Sequence, residues 1–148
     1  MTKLFVLMSS FFSLALLAFS PLSLAQPHSV QLRASEPHVG RSLMLEGELF
    51  RPEGEGPFPA IVLMHGCGGW QPAVRQGLRA HADYLREQGF VVLNLDSFGP
   101  RHYGGGKLCS NNPALYEALN YRTHDAFDAM RYLAGQDFVA ADNIFLMG

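Results

Sequence analysis

The sequence predicts an α/β fold in which a mostly parallel sheet is flanked by helices. Residues 61–64 and 90–95 are runs of mainly apolar residues, and each ends at a turn rich in Gly or Pro, as buried strands do. Between them lies a stretch whose apolar positions are spaced by three and four residues, which indicates a helix. Because strands alternate with helices, we expect right-handed crossovers that join parallel strands.

The segment before these strands predicts an antiparallel hairpin. Residues 30–35 and 43–50 alternate loosely between apolar and polar side chains, and a turn at 38–40 separates them. Residues 143–148 form the last apolar run and predict a third buried strand that leads into a glycine.

Two helices are predicted between the buried strands. The first has apolar side chains on one face and is expected to end at Gly89. Its apolar positions are Val74, Leu78, Ala82 and Leu85. The second begins near Pro113, and we expect a break in it near Tyr121 because the apolar spacing changes there.

Length and composition favour one folded domain of ordinary charge. The chain has 148 residues, of which 48% are hydrophobic, and this suits a single core. Thirteen acidic against eleven basic residues leave no basic surface for a nucleic acid. The six histidines and two cysteines do not follow the spacing of metal ligands, so we expect neither a metal nor a cofactor.

Residues 1–25 have the pattern of a signal peptide. Lys3 precedes an apolar stretch over 4–19, Pro21 ends it, and cleavage is expected after Ala25. The apolar stretch is short for a transmembrane helix, so we expect no stable membrane anchor after cleavage. The mature chain, 26–148, would then be exported to the periplasm or secreted, where disulfides form.

In this order the motifs resemble the dienelactone hydrolase family of the α/β-hydrolase superfamily. The matching segments are 65–69 (HGCGG), 96–101 (DSFGPR), Arg122-x-x-Asp125, Ala129-x-x-Tyr132-Leu133 and 143–148 (NIFLMG). The resemblance covers roughly residues 41–148 and about the N-terminal half of such a domain.

The family resemblance implies hydrolysis of a small ester or lactone by a Ser or Cys nucleophile with a His base and an acid. Gly148 corresponds to the first glycine of the nucleophile turn, G-x-S-x-G, so all three groups are expected beyond it. We therefore expect residues 26–148 to be a partial domain, truncated before that turn and inactive alone. The alternative is a non-catalytic product, or a half-domain that binds a small ligand or a partner.

The resemblance also assigns part of an oxyanion hole to the glycine-rich turn. Glycines allow backbone N–H groups to face outward, and the candidates here are Gly66 and Cys67. The alternative is that 65–69 is only a tight turn between a strand and a helix.

Three side chains are candidates for substrate binding. Arg101 follows a strand end, where a guanidinium in related hydrolases holds a substrate carboxylate, and Ser97 and Trp70 lie in the neighbouring loops. Arg101 could instead brace its own loop, and we expect such a bracing role for Asp96. The helix residues Arg122, Asp125 and Arg131 are expected on a solvated face.

The two cysteines are expected to pair. In the resembling fold the strands that precede Cys67 and Cys109 are neighbours, so the following loops lie side by side. Two cysteines in an exported chain also favour a disulfide. The alternative is a reactive Cys67 with His65 or His81 as its base.

Overall fold

The computed structural model describes residues 26–148, so the predicted signal peptide lies outside the described residues. This part of the chain forms one sheet, two α-helices and two short 3-10 turns at Gly99–Arg101 and Lys107–Ser110. In chain order the elements are β1 (His28–Arg33), β2 (Met44–Phe50), β3 (Phe58–Met64), α1 (Pro72–Glu87), β4 (Val91–Asp96), α2 (Asn112–Ala134) and β5 (Val139–Met147). None of the helices within 26–148 has the length and apolarity needed to cross a membrane.

The strands lie in the order β1-β2-β4-β3-β5. The predicted hairpin is confirmed, because β1 and β2 pair antiparallel, and β2 also pairs antiparallel with β4. The strand β3 is parallel to both β4 and β5, with Val62 opposite Leu93 and Leu146. The expected mostly parallel sheet is thus only partly right. The hairpin joins the same sheet, and its short connections lack the helix that a parallel crossover needs.

Helices cover both faces of the sheet. On one face, α2 packs against Leu45, Val62 and Leu93, with Ala129 and Leu133 at its centre. On the other face, α1 packs through Ala82 and Leu85 on a second apolar cluster. These two layers explain why β3 and β4 are buried almost throughout.

The predicted spacing of α1 agrees with its packing. The helix begins at Pro72, a residue that suits a first helical turn because its missing N–H would have no partner there. Just beyond the helix, Gly89 takes a left-handed conformation with φ of 89°. The chain then turns directly into β4.

The predicted break near Tyr121 is wrong, because α2 continues unbroken from Asn112 to Ala134. Its buried stripe contains Ala118, Asp125, Ala126 and Ala129. The charged residue Asp125 interrupts the apolar pattern in the sequence. In the fold Asp125 is buried and paired with Arg101, so it belongs to the buried stripe and the helix continues through it.

The last strand starts earlier than the sequence suggests. Pairing with β3 begins at Val139, and the N–H of Phe58 donates to the carbonyl of Phe138 at 2.8 Å. In the described part of the chain β5 is the outer strand of the sheet, so Phe145 and Leu146 remain more than half exposed.

Candidate active site

The parallel strands β3, β4 and β5 end at the same edge of the sheet. The turn 65–71, the long loop 97–111 and Gly148 therefore meet at this edge. In open α/β sheets such an edge is where ligands bind. The glycine-rich turn lies at its centre.

The turn 65–69 is tight, and its amides are partly free. Gly69 has φ of 60° and donates its N–H to the carbonyl of Gly66 at 3.2 Å. A Cβ at Gly69 would only touch the ring of Phe98, so it is the left-handed backbone that favours glycine at this position. The N–H of Cys67 donates to no group within residues 26–148. This amide is therefore available to a ligand oxygen.

His65 lies beneath the turn with only 2% of its surface exposed. Its Nδ1 is 2.8 Å from the carbonyl oxygen of Gly66, and its Nε2 accepts the N–H of Ser97 at 3.1 Å. The ring also meets Phe98 edge to face, with centroids 4.5 Å apart. From α2, Arg122 donates to the carbonyl of His65, and burial lowers the pKa of Arg122. This histidine thus connects the turn, the loop and α2.

Asp96 braces the start of the long loop, as expected. Its Oδ1 accepts the N–H groups of Phe98 at 2.9 Å and Gly99 at 3.0 Å, and lies 3.4 Å from Nε2 of His65. Burial raises the pKa of Asp96. The neighbouring His65 ring and the hydrogen bonds from the N–H groups of Gly99 and Phe98 lower it by more, so the pKa lies below its ordinary value.

Arg101 is held by a buried ion pair. Its Nη1 and Nη2 donate to the two carboxylate oxygens of Asp125 at 2.7 and 2.9 Å, and Nη1 also donates to the carbonyl of Ser97 at 2.8 Å. The guanidinium lies 4.0 Å over the ring of Tyr121, whose pKa burial raises to about 12. Burial also raises the pKa of Asp125 and outweighs the opposing effect of Arg101. This geometry corresponds to the alternative in which Arg101 braces its own loop, because the guanidinium donates to Ser97 and Asp125 of the same chain.

The expectation of a solvated helix face is wrong for two of its three residues. Asp125 is fully buried, and Arg122 reaches under the turn to His65. Only Arg131 is exposed, and it pairs with Asp128 on the same helix. The physical reason is that Asp125 pairs with Arg101 and Arg122 donates to the carbonyl of His65, so groups from other segments offset part of the cost of burial.

The other substrate-binding candidates are not gathered around one pocket. Ser97 is buried, and its hydroxyl has no hydrogen-bond partner within 26–148. Trp70 lies away from it, with its ring 4.3 Å beneath the guanidinium of Arg75 and facing a small cavity beside the β1–β2 hairpin. Only Ser97 and Arg101 are in direct contact.

A second cluster of charged residues, which the sequence pattern did not predict, surrounds Glu48. Glu48, in β2, is 2% exposed and accepts hydrogen bonds from Arg75 at 2.9 Å, from Arg79 at 3.0 Å and from Asn94 at 3.2 Å. Burial raises the pKa of Glu48, but the two arginines lower it below its ordinary value. The available signal was a glutamate between apolar residues near the end of the second predicted strand, together with two arginines four residues apart on a helix.

The described residues contain no candidate metal site. Over residues 26–148, no three His, Cys, Asp or Glu side chains are grouped so that they could hold a metal ion.

The predicted disulfide is confirmed. Cys67 and Cys109 are bonded, with their Cα atoms 5.0 Å apart. Close contact between Gln71 and Gly106 brings the same two segments together a second time. The loop 97–111 is thereby fixed onto the glycine-rich turn.

The strand order, the helix on each face and the glycine-rich turn after β3 define an α/β-hydrolase fold, and solved structures agree. A dienelactone hydrolase-like promiscuous phosphotriesterase from metagenomic libraries is similar, with a TM-score of 0.59 and 18% identity. It matches 82% of this chain and 48% of its own. Esterase 2 of Thermogutta terrifontis matches with a TM-score of 0.52 and 20% identity, over 82% of this chain and 42% of the esterase.

The α/β hydrolase GrgF of Penicillium sp. sh18 is also similar, with a TM-score of 0.52 and 22% identity over 81% of this chain and 36% of GrgF. At these identities the likeness establishes the fold alone. The chain spans less than half the length of these proteins. No protein-family model matches the chain, and no curated protein matches it.

Proposed function

We propose that this chain is the amino-terminal half of an exported ester or lactone hydrolase of the dienelactone hydrolase type. In this proposal it supplies one donor of the oxyanion hole, and a second half supplies the nucleophile, the base and the acid. The observation that carries the proposal is the unpartnered N–H of Cys67 at the carboxyl end of β3, in a fold shared with esterases.

The chemistry requires such a donor. Attack on an ester or lactone carbonyl places negative charge on its oxygen, and fixed N–H groups stabilise that charge in the transition state. The N–H of Cys67 is one such group. In α/β hydrolases the residue after the nucleophile provides the second, which in this proposal belongs to the other half.

The surface formed by β5 and α2 suits the missing half. The outer edge of β5 is unpaired within 26–148, and a cavity of about 390 Å³ separates Leu146 and Met147 from Leu119 and Phe127 on α2. These side chains are 40–57% exposed. A parallel strand beside β5, followed by a helix against α2, would cover them. The greater length of the structural neighbours supports this arrangement.

Export is part of the proposal. The support is the signal-peptide pattern of 1–25 together with a disulfide, since disulfides persist in oxidising compartments. Intact-mass measurement on protein from the periplasm or medium tests it. The expected product begins at Gln26 and carries no alkylated cysteine without reductant. Retention of residues 1–25 in that product would contradict export by cleavage.

The decisive experiment compares this polypeptide with its continuation. Determination of the coding sequence past codon 148 identifies the residues that follow, and both proteins are assayed with p-nitrophenyl acetate and a simple lactone. We expect hydrolysis only by the continued chain, since loss of a catalytic triad costs about six orders of magnitude in rate. A stop codon at this position with no second-half polypeptide, or a continued chain without activity, overturns the proposal.

A matched control separates the backbone of Cys67 from its thiol. Cys67→Ser keeps the N–H but removes the sulfur and with it the disulfide, so Cys109→Ser, which loses the disulfide alone, is its matched control. Hydrolysis by the continued chain should be equal in the two variants, and loss of all activity in Cys67→Ser alone would favour the reactive-cysteine alternative.

A further inference from the structure

We propose that His65 is a positioning residue, which turns the Gly66–Cys67 peptide so that the N–H of Cys67 faces the reacting oxygen. The inference rests on the proposed function for its catalytic meaning. That the side chain of His65 orients the Gly66–Cys67 peptide is argued from contacts within residues 26–148 alone.

The first step is peptide geometry. In a planar trans peptide the C=O and the following N–H point in opposite directions. A group that fixes the carbonyl of Gly66 therefore fixes the N–H of Cys67 on the other side of the plane. Nδ1 of His65, 2.8 Å from that carbonyl oxygen, is such a group.

The second step is the protonation of the ring. Nε2 of His65 accepts the N–H of Ser97, so Nε2 carries no proton. The proton of the neutral imidazole then resides on Nδ1, which donates it to the carbonyl of Gly66. The backbone of the long loop thus selects the tautomer that holds the turn.

The third step is that the peptide needs this restraint. Gly66 is exposed, and an added Cβ there would meet no atom within 4 Å, so nothing crowds this peptide on the Gly66 side. The only other hydrogen bond to the Gly66 carbonyl within 26–148 is the longer one from Gly69, at 3.2 Å. His65 itself is immobilised by Phe98 and by the hydrogen bond from Arg122 to its carbonyl.

Two variants separate the two nitrogens of His65. Asn places its amide nitrogen as many bonds from Cα as Nδ1, so His65→Asn can still donate to Gly66. Gln reaches the position of Nε2 instead, so His65→Gln can still accept from Ser97 but leaves the carbonyl of Gly66 without its donor. A positioning role predicts that Asn rescues and Gln does not.

Selective labelling with ¹⁵N-cysteine gives a direct readout in the full chain, fused to a cysteine-free soluble protein. The spectrum contains two amide resonances, because the chain has two cysteines. Cys109 is the internal control, since its N–H is bonded to the carbonyl of Gly106 at 3.0 Å. We expect one sharp Cys67 resonance in the parent and in His65→Asn. In His65→Gln it should double or disappear by broadening, while Cys109 stays unchanged.

Kinetics in the continued chain add a catalytic readout. Loss of one oxyanion donor lowers kcat by about 100-fold to 1,000-fold, so a partly misplaced donor in His65→Gln should cost at least about tenfold with little change in KM. His65→Asn should stay close to the parent. Failure of all proteins to hydrolyse esters would count against the proposed function and leave the spectroscopic result intact.

Three results overturn the inference. One is an unchanged Cys67 resonance in His65→Gln, and another is equal behaviour of the two variants. The third is unfolding of both, seen as movement of the Cys109 resonance to its random-coil position, which would mean that His65 serves the fold alone.

Discussion

The buried pair of Arg101 and Asp125 shows how single residues support the candidate site. Their side chains are 1% and 0% exposed, and the bidentate geometry joins the loop after β4 to the middle of α2. Burial of either charge alone is costly, because its hydration is lost without a compensating partner. The pair is therefore strongly coupled.

Removal of one partner should destabilise the chain more than removal of both. Asp125→Asn is expected to lower the free energy of unfolding by about 3–5 kcal/mol, whereas the double variant Arg101→Met with Asp125→Leu should lose clearly less. Urea denaturation measures both. Asp83→Asn, which breaks a pair on the solvated face of α1 with Asp83 42% exposed, is the control and should cost under about 1 kcal/mol. Equal losses for the single and double variants would contradict the coupling.

Glu48 should make stability depend on pH below its ordinary pKa of 4.5. Its pKa is lower in the folded chain, so its contribution is complete above about pH 4.5 and is lost as the pH falls toward the folded pKa. The difference in unfolding free energy between the parent and Glu48→Gln should be constant from pH 7 to 5 and shrink below. The shifts of Asp96 and Asp125 are common to both proteins and cancel. A difference that grows in acid would contradict this sign.

At the scale of elements, the conformation of the loop 97–111 depends on tertiary contacts and not on regular secondary structure. Its only regular parts are two short 3-10 turns, and it is held by Asp96 at its start, Arg101 in its first half and the disulfide at Cys109. Three glycines at 104–106 give it conformational freedom in the unfolded chain. A disulfide that restricts the unfolded loop therefore stabilises the folded state.

Opening of the disulfide should destabilise the fold considerably. The two cysteines are 42 residues apart, for which the chain-entropy model gives a contribution of about 4 kcal/mol. Guanidinium unfolding of the parent, with and without reductant, measures the difference, and Cys67→Ser with Cys109→Ser is the matched variant. Reductant should have no effect on the variant. A parent that is equally stable in both conditions would show that contacts such as Gln71 with Gly106 suffice.

At the scale of the whole molecule, the outer strand β5 and the adjacent part of α2 carry a group of exposed apolar side chains. Phe145, Leu146 and Met147 on β5 and Phe127 on α2 are each at least 40% exposed. An unpaired strand with apolar side chains is a template for association with other chains. The polypeptide 26–148 alone is therefore expected to self-associate.

A lysine on β5 should reduce that association. Leu146→Lys places a charge in the exposed apolar part of β5, and size-exclusion chromatography with light scattering should show less aggregate than in the parent. Tyr84→Lys is the control, because Tyr84 is 59% exposed on α1 and contributes nothing to the β5 edge. Similar improvement in both variants would attribute the effect to net charge. A monomeric parent would contradict the expectation.

The sequence alone determined the local elements and their order. Unbroken apolar runs indicated β3 and β4, loose alternation indicated the hairpin, and periodic spacing indicated α1, because each pattern reflects which faces of an element are buried. The pairing of Cys67 with Cys109 was also predicted, since in the resembling fold the loops that carry them lie side by side and two cysteines in an exported chain favour a disulfide.

Only the tertiary structure decided the roles of the charged residues. Asp125 and Glu48 are polar in the sequence and buried in the fold, because their partners Arg101, Arg75 and Arg79 come from other segments. The expected break near Tyr121 in α2 was wrong for the same reason, because the burial of Asp125 on that helix depends on Arg101 from another segment. Local patterns record the exposure that a residue prefers, whereas the partner that makes burial of a charge tolerable comes from elsewhere in the chain and is chosen by the fold.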